Sequence, residues 1–298
     1  FTEMLDFSPI LQTSLGIKTD YDKLDDFSEE GIREQIAWAK QARAEMKANF
    51  DYEGLSDEAK QSYDMFVYLT TSIEKRGDYL DQEYILHQMQ GTHAFLPSFL
   101  LSQHTVENES DMQAFIARLA GIGTAMDQLL VRAQSNARAG TRPPRFSYDA
   151  VISEAEGLIT GKPFTEGGNS ALWEGVEERL ANLVAGGIIT QNRASELAEN
   201  ARVAMVNEMA PAYQRVIDWF VQDLPNSDEI AQGVSALPDG EAYYDYMLKE
   251  MTTTELTAEE IHQIGLAEVA RIRTEMEAIK AERGFDGSLQ EFFVFMRR

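Results

Sequence analysis

The chain has 298 residues, enough for one large domain or two ordinary ones, and its 44% hydrophobic content is sufficient for a substantial core. Twenty-six basic residues against fifty acidic ones leave a net charge of −24, a field that repels a phosphate backbone or an anionic leaflet and sets nucleic acid aside as a partner. The absence of cysteine excludes a disulfide framework, a thiolate nucleophile and Cys-ligated zinc, and leaves the redox compartment open.

Apolar residues recur at spacings of three and four with no run of alternation, so the expected fold is all-α, a multi-helix array of long antiparallel helices. A first helix is expected after Ser28, running to about Phe50 with Ile32, Ile36, Ala39, Ala42 and Met46 on one face. A second follows Ser56 and continues toward Met89, with a weak point at Gly77. The stretch "LPSFLLSQHTVENES" reads as a break, and a helix from about Asp111 to Arg138 then carries Phe115, Leu119, Ile122, Met126 and Leu129, with Gly140 placed as a C′ residue.

"AGTRPPRF" suggests a division into parts 1–140 and 141–298, the second continuous with the first. Shorter helices fit Tyr148 to Thr160 and Ser170 to Ala185. Thr190 can cap a long helix through Leu197, Ala201, Ala204 and Tyr213 to Phe220, kinked at Pro211. Pro238-Asp239-Gly240 is a turn in which glycine tolerates positive φ, and it delivers Tyr243, Tyr244 and Tyr246 onto the start of a helix.

Thr252 to Thr254 are β-branched and favour an extended approach to the next helix. That helix opens on the capping box Thr257-Ala-Glu-Glu260 and presents Ile261, Gly265, Ile272, Met276 and Ile279 at helical spacing. A last helix begins at Ser288, and its load of Leu289, Phe292, Phe293, Phe295 and Met296 is too wide for a one-sided contact. The expectation is therefore that more chain follows Arg298.

No window approaches the roughly 18 apolar residues of a membrane helix, so no membrane insertion by this chain is expected. The sequence starts at Phe1, which leaves a removed leader open.

The motifs of chemistry are sparse. H-E-x-x-H is absent, and Glu259-Glu260-Ile261-His262 supplies only one Glu-x-x-His, where a di-iron bundle needs a second copy and further carboxylates. Glu83 and His87 at i and i+4, with His93 and His104 nearby, form a weak mixed site. "GLITGKPFT" is one residue short of a phosphate loop, and no G-x-S-x-G elbow is present.

The segment "GVSALPDGEAYYDYMLKEMTTTELTAEEIHQIGLAEVARIRTEMEAI", continuing into "GFDGSLQEFF", resembles the signature region of the bacterial domain-of-unknown-function-885 family, and "SPILQTSLGI" is similar to its N-terminal part. The resemblance implies a helical, zincin-like fold of the metallopeptidase or metal-dependent hydrolase kind, in proteins that are often periplasmic or lipid-anchored. In that family an H-E-x-x-H-type motif lies downstream of the matched region.

The resemblance thus implies an N-terminal half, inactive alone, that forms one wall of a cleft for a peptide or small-molecule substrate. Zn²⁺ is expected in the full-length protein and would be held by the missing C-terminal half, with no metal ligand and no catalytic residue carried over here. Pro238, Gly240, Thr252, Thr253, Glu260 and Gly265 match the signature, and Tyr243, Tyr244 and His262 are the candidates for facing substrate, Tyr244 and His262 first. The competing reading is a complete, non-enzymatic acidic helical module that binds a protein or peptide.

Overall fold

The computed structural model describes residues 2–89 and 91–297. It divides into two compact units, Phe1–Pro238 and Asp239–Arg298. The described residues are helical without a strand, and the sole β-type pairing among them is an isolated bridge between Lys162 and Asn169. The break at "AGTRPPRF" lies inside the first unit.

The first unit opens with short helices α1 (Thr2–Leu5) and α2 (Pro9–Ser14), followed by α3 (Glu29–Asn49) and α4 (Asp57–Arg76). Ser28 and Ser56 accept from the backbone N–H of Gly31 and Ala59, capping α3 and α4 at the residues expected to start them. Met46 shares a groove with Phe66, Arg43 bonds Thr71 and Glu74, and Ile36 lies against Gly77, so the two helices form an antiparallel hairpin.

The expected continuation to Met89 stops at Arg76, where a 3-10 turn, Gly77–Gln82, takes over. The reason is non-local. Asn136 donates to the carbonyls of Leu80 and Glu83, at 2.8 and 2.9 Å, and so takes acceptors that a continuing helix would use.

Helix α5 (Thr92–Ser102) forms where the sequence reads as a break, with Pro97 inside it. Pro97 has no N–H for the carbonyl of His93, four residues back. The buried hydroxyl of Tyr213 donates to that carbonyl instead. A distant side chain thereby replaces the missing helical hydrogen bond.

Helix α6 (Glu109–Ala139) is the axis of the core: Met112, Phe115, Leu119, Ile122 and Met126 are wholly inaccessible to solvent. Gly140 ends it at φ 100°, a left-handed C-cap that suits glycine. One window of α6 is long and apolar enough to cross a membrane by length and composition, a feature that counting consecutive apolar residues does not reveal. In this fold 56% of that window is buried inside the protein, as in the core helix of a globular unit.

Helices α7 (Arg145–Leu158), α8 (Ala171–Ala185), α9 (Gln191–Ala204) and α10 (Ala210–Asp223) complete the first unit. Between α9 and α10 runs a π turn, Met205–Met209, immediately before Pro211. The interruption expected at the proline is thus a widened turn in a continuous helical run. Glu109 meets Arg193, Gly123 meets Glu208, and Asp127 meets Arg215. These pairings advance together, so α6 runs parallel to the α9–α10 pair, whereas α3 and α4 are antiparallel.

The second unit consists of α11 (Gly240–Thr252), α12 (Ala258–Glu282) and α13 (Leu289–Met296). Thr257 and Ser288 both form complete capping boxes, with Glu260 and Glu291. Phe292 is buried against a cluster with Phe285 and Phe295, whereas α12 has no buried residue along its length.

Candidate functional site

The sequence candidates fall on α11 and α12. Asp239 adopts the left-handed conformation, φ 51°, and Gly240 begins the helix. The turn therefore places its positive φ on the aspartate, which tolerates it, and uses Gly240 as a buried first helical residue. Tyr243 is half-buried with its ring centroid 6.4 Å from that of Tyr246, while Tyr244, 44% accessible, turns outward.

The threonines depart from the extended path expected of them. Thr252 is the last residue of α11 and donates its hydroxyl to the Leu248 carbonyl at 2.7 Å; Thr253 is left-handed at φ 54°. The helix claims Thr252, and the Thr253 N–H returns to the Lys249 carbonyl as a C-cap. A β-branched residue at positive φ is strained, so the signature threonines mark a backbone held against its own preference.

Glu260 accepts from the Thr257 N–H and hydroxyl, both at 2.8 Å, and these bonds hold its carboxyl below the usual carboxylate range. That carboxylate serves the helix start. His262 is exposed one turn into α12. Pro238 lies at the end of the first unit, where its carbonyl accepts from Gln82 at 3.2 Å. Gly265 sits bare on α12, with nothing within 4 Å of where a Cβ would stand.

The other histidines are dispersed. Glu83 and His87 do not share a helical face, because Glu83 is extended and its carboxylate pairs with Arg76 and Arg132. His104 is buried, stacked on Tyr21 at 4.0 Å, and lies between the Asp111 carbonyl and the Arg118 guanidinium. Arg118 can only donate, so His104 Nδ1 accepts and Nε2–H donates to Asp111. Burial, with the nearby Arg118 and Arg179 cations, lowers its pKa to about 4.

His93 is fully buried, with Nε2 2.9 Å from Glu154 and no partner for Nδ1 among the described residues. Burial pushes its pKa down. No local pattern links His93 to a carboxylate 61 residues away, so sequence reasoning missed the pair. A second buried network joins Arg142, Tyr148 and Asp223, with the Tyr148 hydroxyl 2.7 Å from the carboxylate. Burial opposes ionisation of Asp223, yet hydrogen bonds from Arg142, Asn226 and Tyr148 outweigh it and lower its pKa.

Among the described residues no group of three or more His, Asp or Glu side chains could hold a metal ion. The donors among the described residues lie singly or in pairs and do not supply the three protein ligands of a catalytic zinc site.

The fold and candidate site define an acidic all-α protein with a buried-core unit and a helical unit bearing exposed tyrosine and histidine. The chain belongs to the family described as "Bacterial protein of unknown function (DUF885)", which matches residues 9–298. No curated protein matches it.

Among solved structures it is similar to "the putative lipoprotein from Colwellia psychrerythraea", with a TM-score of 0.83 at 19% identity, covering 98% of this chain and 51% of that one. At that identity the likeness shows the fold, and this chain spans about half the length of the protein it matches.

Proposed function

We propose that this chain is the N-terminal helical half of a metal-dependent, peptidase-like hydrolase of the bacterial envelope, forming one wall of the substrate cleft. The observation that carries the reading is the exposure of the signature itself: Tyr244 and His262 face solvent on α11 and α12, on either side of the strained Thr253. A phenol and an imidazole presented this way can hydrogen-bond a peptide or other polar substrate.

The metal and its activated water belong, in this reading, to the other half. The envelope assignment is supported by the lipoprotein description of the Colwellia protein.

The test is peptide hydrolysis and zinc content of the full-length protein, with and without a chelator. We expect zinc and chelator-sensitive activity in the full-length protein and neither in residues 1–298 alone. Tyr244→Phe and His262→Ala should raise KM roughly threefold to tenfold, the loss of one hydrogen bond. A metal-free, chelator-insensitive full-length protein would leave the binding-module reading in place.

A further inference from the structure

The longest helix of the second unit has no buried residue, although its sequence is built to be covered. Ile261, Gly265, Val269, Ile272, Met276 and Ile279 follow one another at spacings of four and three, the seam of a helix that packs on another helix. Val269 is 66% accessible, Ile279 50%, Ile272 40% and Met276 37%. Gly265 interrupts the seam with open space above its Cα, where a covering backbone could approach closely.

Scattered exposed apolar residues are ordinary, but a continuous row along a 25-residue helix is the mark of an interaction surface. The opposite face is polar at Gln263 and Glu259, which pair with each other, while Glu268 and Glu275 border the seam and are bridged by Arg271.

The second unit also lacks the means to hold itself together. A domain of about 60 residues that folds alone buries roughly 60% of its extended surface, whereas Phe292 is the single large apolar side chain recorded as buried among the described residues of Asp239–Arg298. The missing burial must be supplied from outside the unit. The solved Colwellia structure has this fold over half of its length and carries about as much chain again.

We propose that the Ile261–Ile279 seam is the docking surface for the C-terminal half of the same polypeptide, seated as an apolar helix or helix pair. The inference rests on the proposed half-protein reading and deepens it, because the seam begins beside His262 and a covering half would lie against the candidate cleft wall. Six Glu against three Lys and Arg on α12 further require the covering surface to be apolar at its centre and basic at its edge.

The chain has no cysteine, so single thiols can report on coverage. Val269→Cys and Ile272→Cys probe the seam, Gln263→Cys the opposite face, each in residues 1–298 and in the polypeptide as its gene encodes it, with labelling read at each peptide by mass spectrometry. We expect the seam thiols to react in the short chain and to be slowed about tenfold or more in the gene-encoded protein, with Gln263→Cys fast in both. Hydrogen exchange of α12 in the unmodified proteins provides the same comparison without substitution.

Equal seam reactivity in both proteins overturns the proposal. So does a gene that adds no further chain, or protection in residues 1–298 accompanied by the mass of a dimer. Hydrolysis is read separately: a protected seam in an inactive full-length protein sinks the hydrolase reading alone, and an active protein with a reactive seam sinks this one alone.

Discussion

Arg118 shows how one residue can organise a segment that has little regular structure. Its buried guanidinium donates to the carbonyls of Pro9, Asp20 and Lys23, to the Thr13 hydroxyl and to His104, so the chain around α2 closes on α6 through backbone acceptors. Because His104 accepts from this cation, the fold requires its neutral form.

The unfolded chain takes up that proton near 6.5, the folded protein only at about 4. The stability tied to His104 is therefore whole above pH 6.5 and is lost as pH falls toward 4, by up to roughly 3 kcal/mol. Denaturation midpoints measured across that window should fall steeply, and His104→Asn should flatten the slope, with buried His93 leaving a residue of it. An unchanged slope would refute this assignment.

Tyr213 and Pro97 make a second residue-scale case. Tyr213→Phe should cost about 1–3 kcal/mol by orphaning the His93 carbonyl. Adding Pro97→Ala, which restores an N–H to that acceptor, should recover part of the loss in a double-mutant cycle.

At the scale of elements, the meeting of α6 with the π turn is the tightest fit. A Cβ on Gly123 would stand 2.7 Å from the Glu208 carbonyl oxygen, a backbone atom that cannot swing away. Gly123→Ala gains about 1 kcal/mol of helix propensity but should destabilise the protein by roughly 1–3 kcal/mol overall. A rise in the urea midpoint would show that the π turn can retreat.

Helix starts were legible in the sequence because capping is local: Ser28, Ser56, Ser170, Thr190, Thr257 and Ser288 each accept from a backbone N–H three residues on. Helix α5 was not, and Gly77 and Pro211 were readable only as a weak point and a kink, since Tyr213, Asn136 and the Gly123–Glu208 contact that fix their form act across long separations. The candidate site divides the same way. The capping box of Glu260 was readable from spacing, but the left-handed Thr253 and the buried His93–Glu154 pair depend on the folded context.

For the whole molecule, a net charge of −24 sets a self-repulsion that exposed ion pairs do little to offset. Raising salt from about 10 mM to 150 mM shortens the screening length from roughly 30 to 8 Å. The thermal midpoint should rise over that range; a fall would mean that pairs such as Arg215 with Asp127 outweigh the net repulsion.

The parallel run of α6 beside α9 and α10 also sets an order of events during synthesis. Glu109 waits for Arg193 and Asp127 for Arg215, so the core helix leaves the ribosome well before its α9 and α10 partners exist. Until then the nascent chain carries an apolar helix covered only by the segments that precede it, through Arg118 to Pro9 and Lys23 and through Asn136 to Leu80, with the face meant for α9 and α10 open. Whatever receives the emerging chain meets that helix with one face still open, as a client rather than as a finished core.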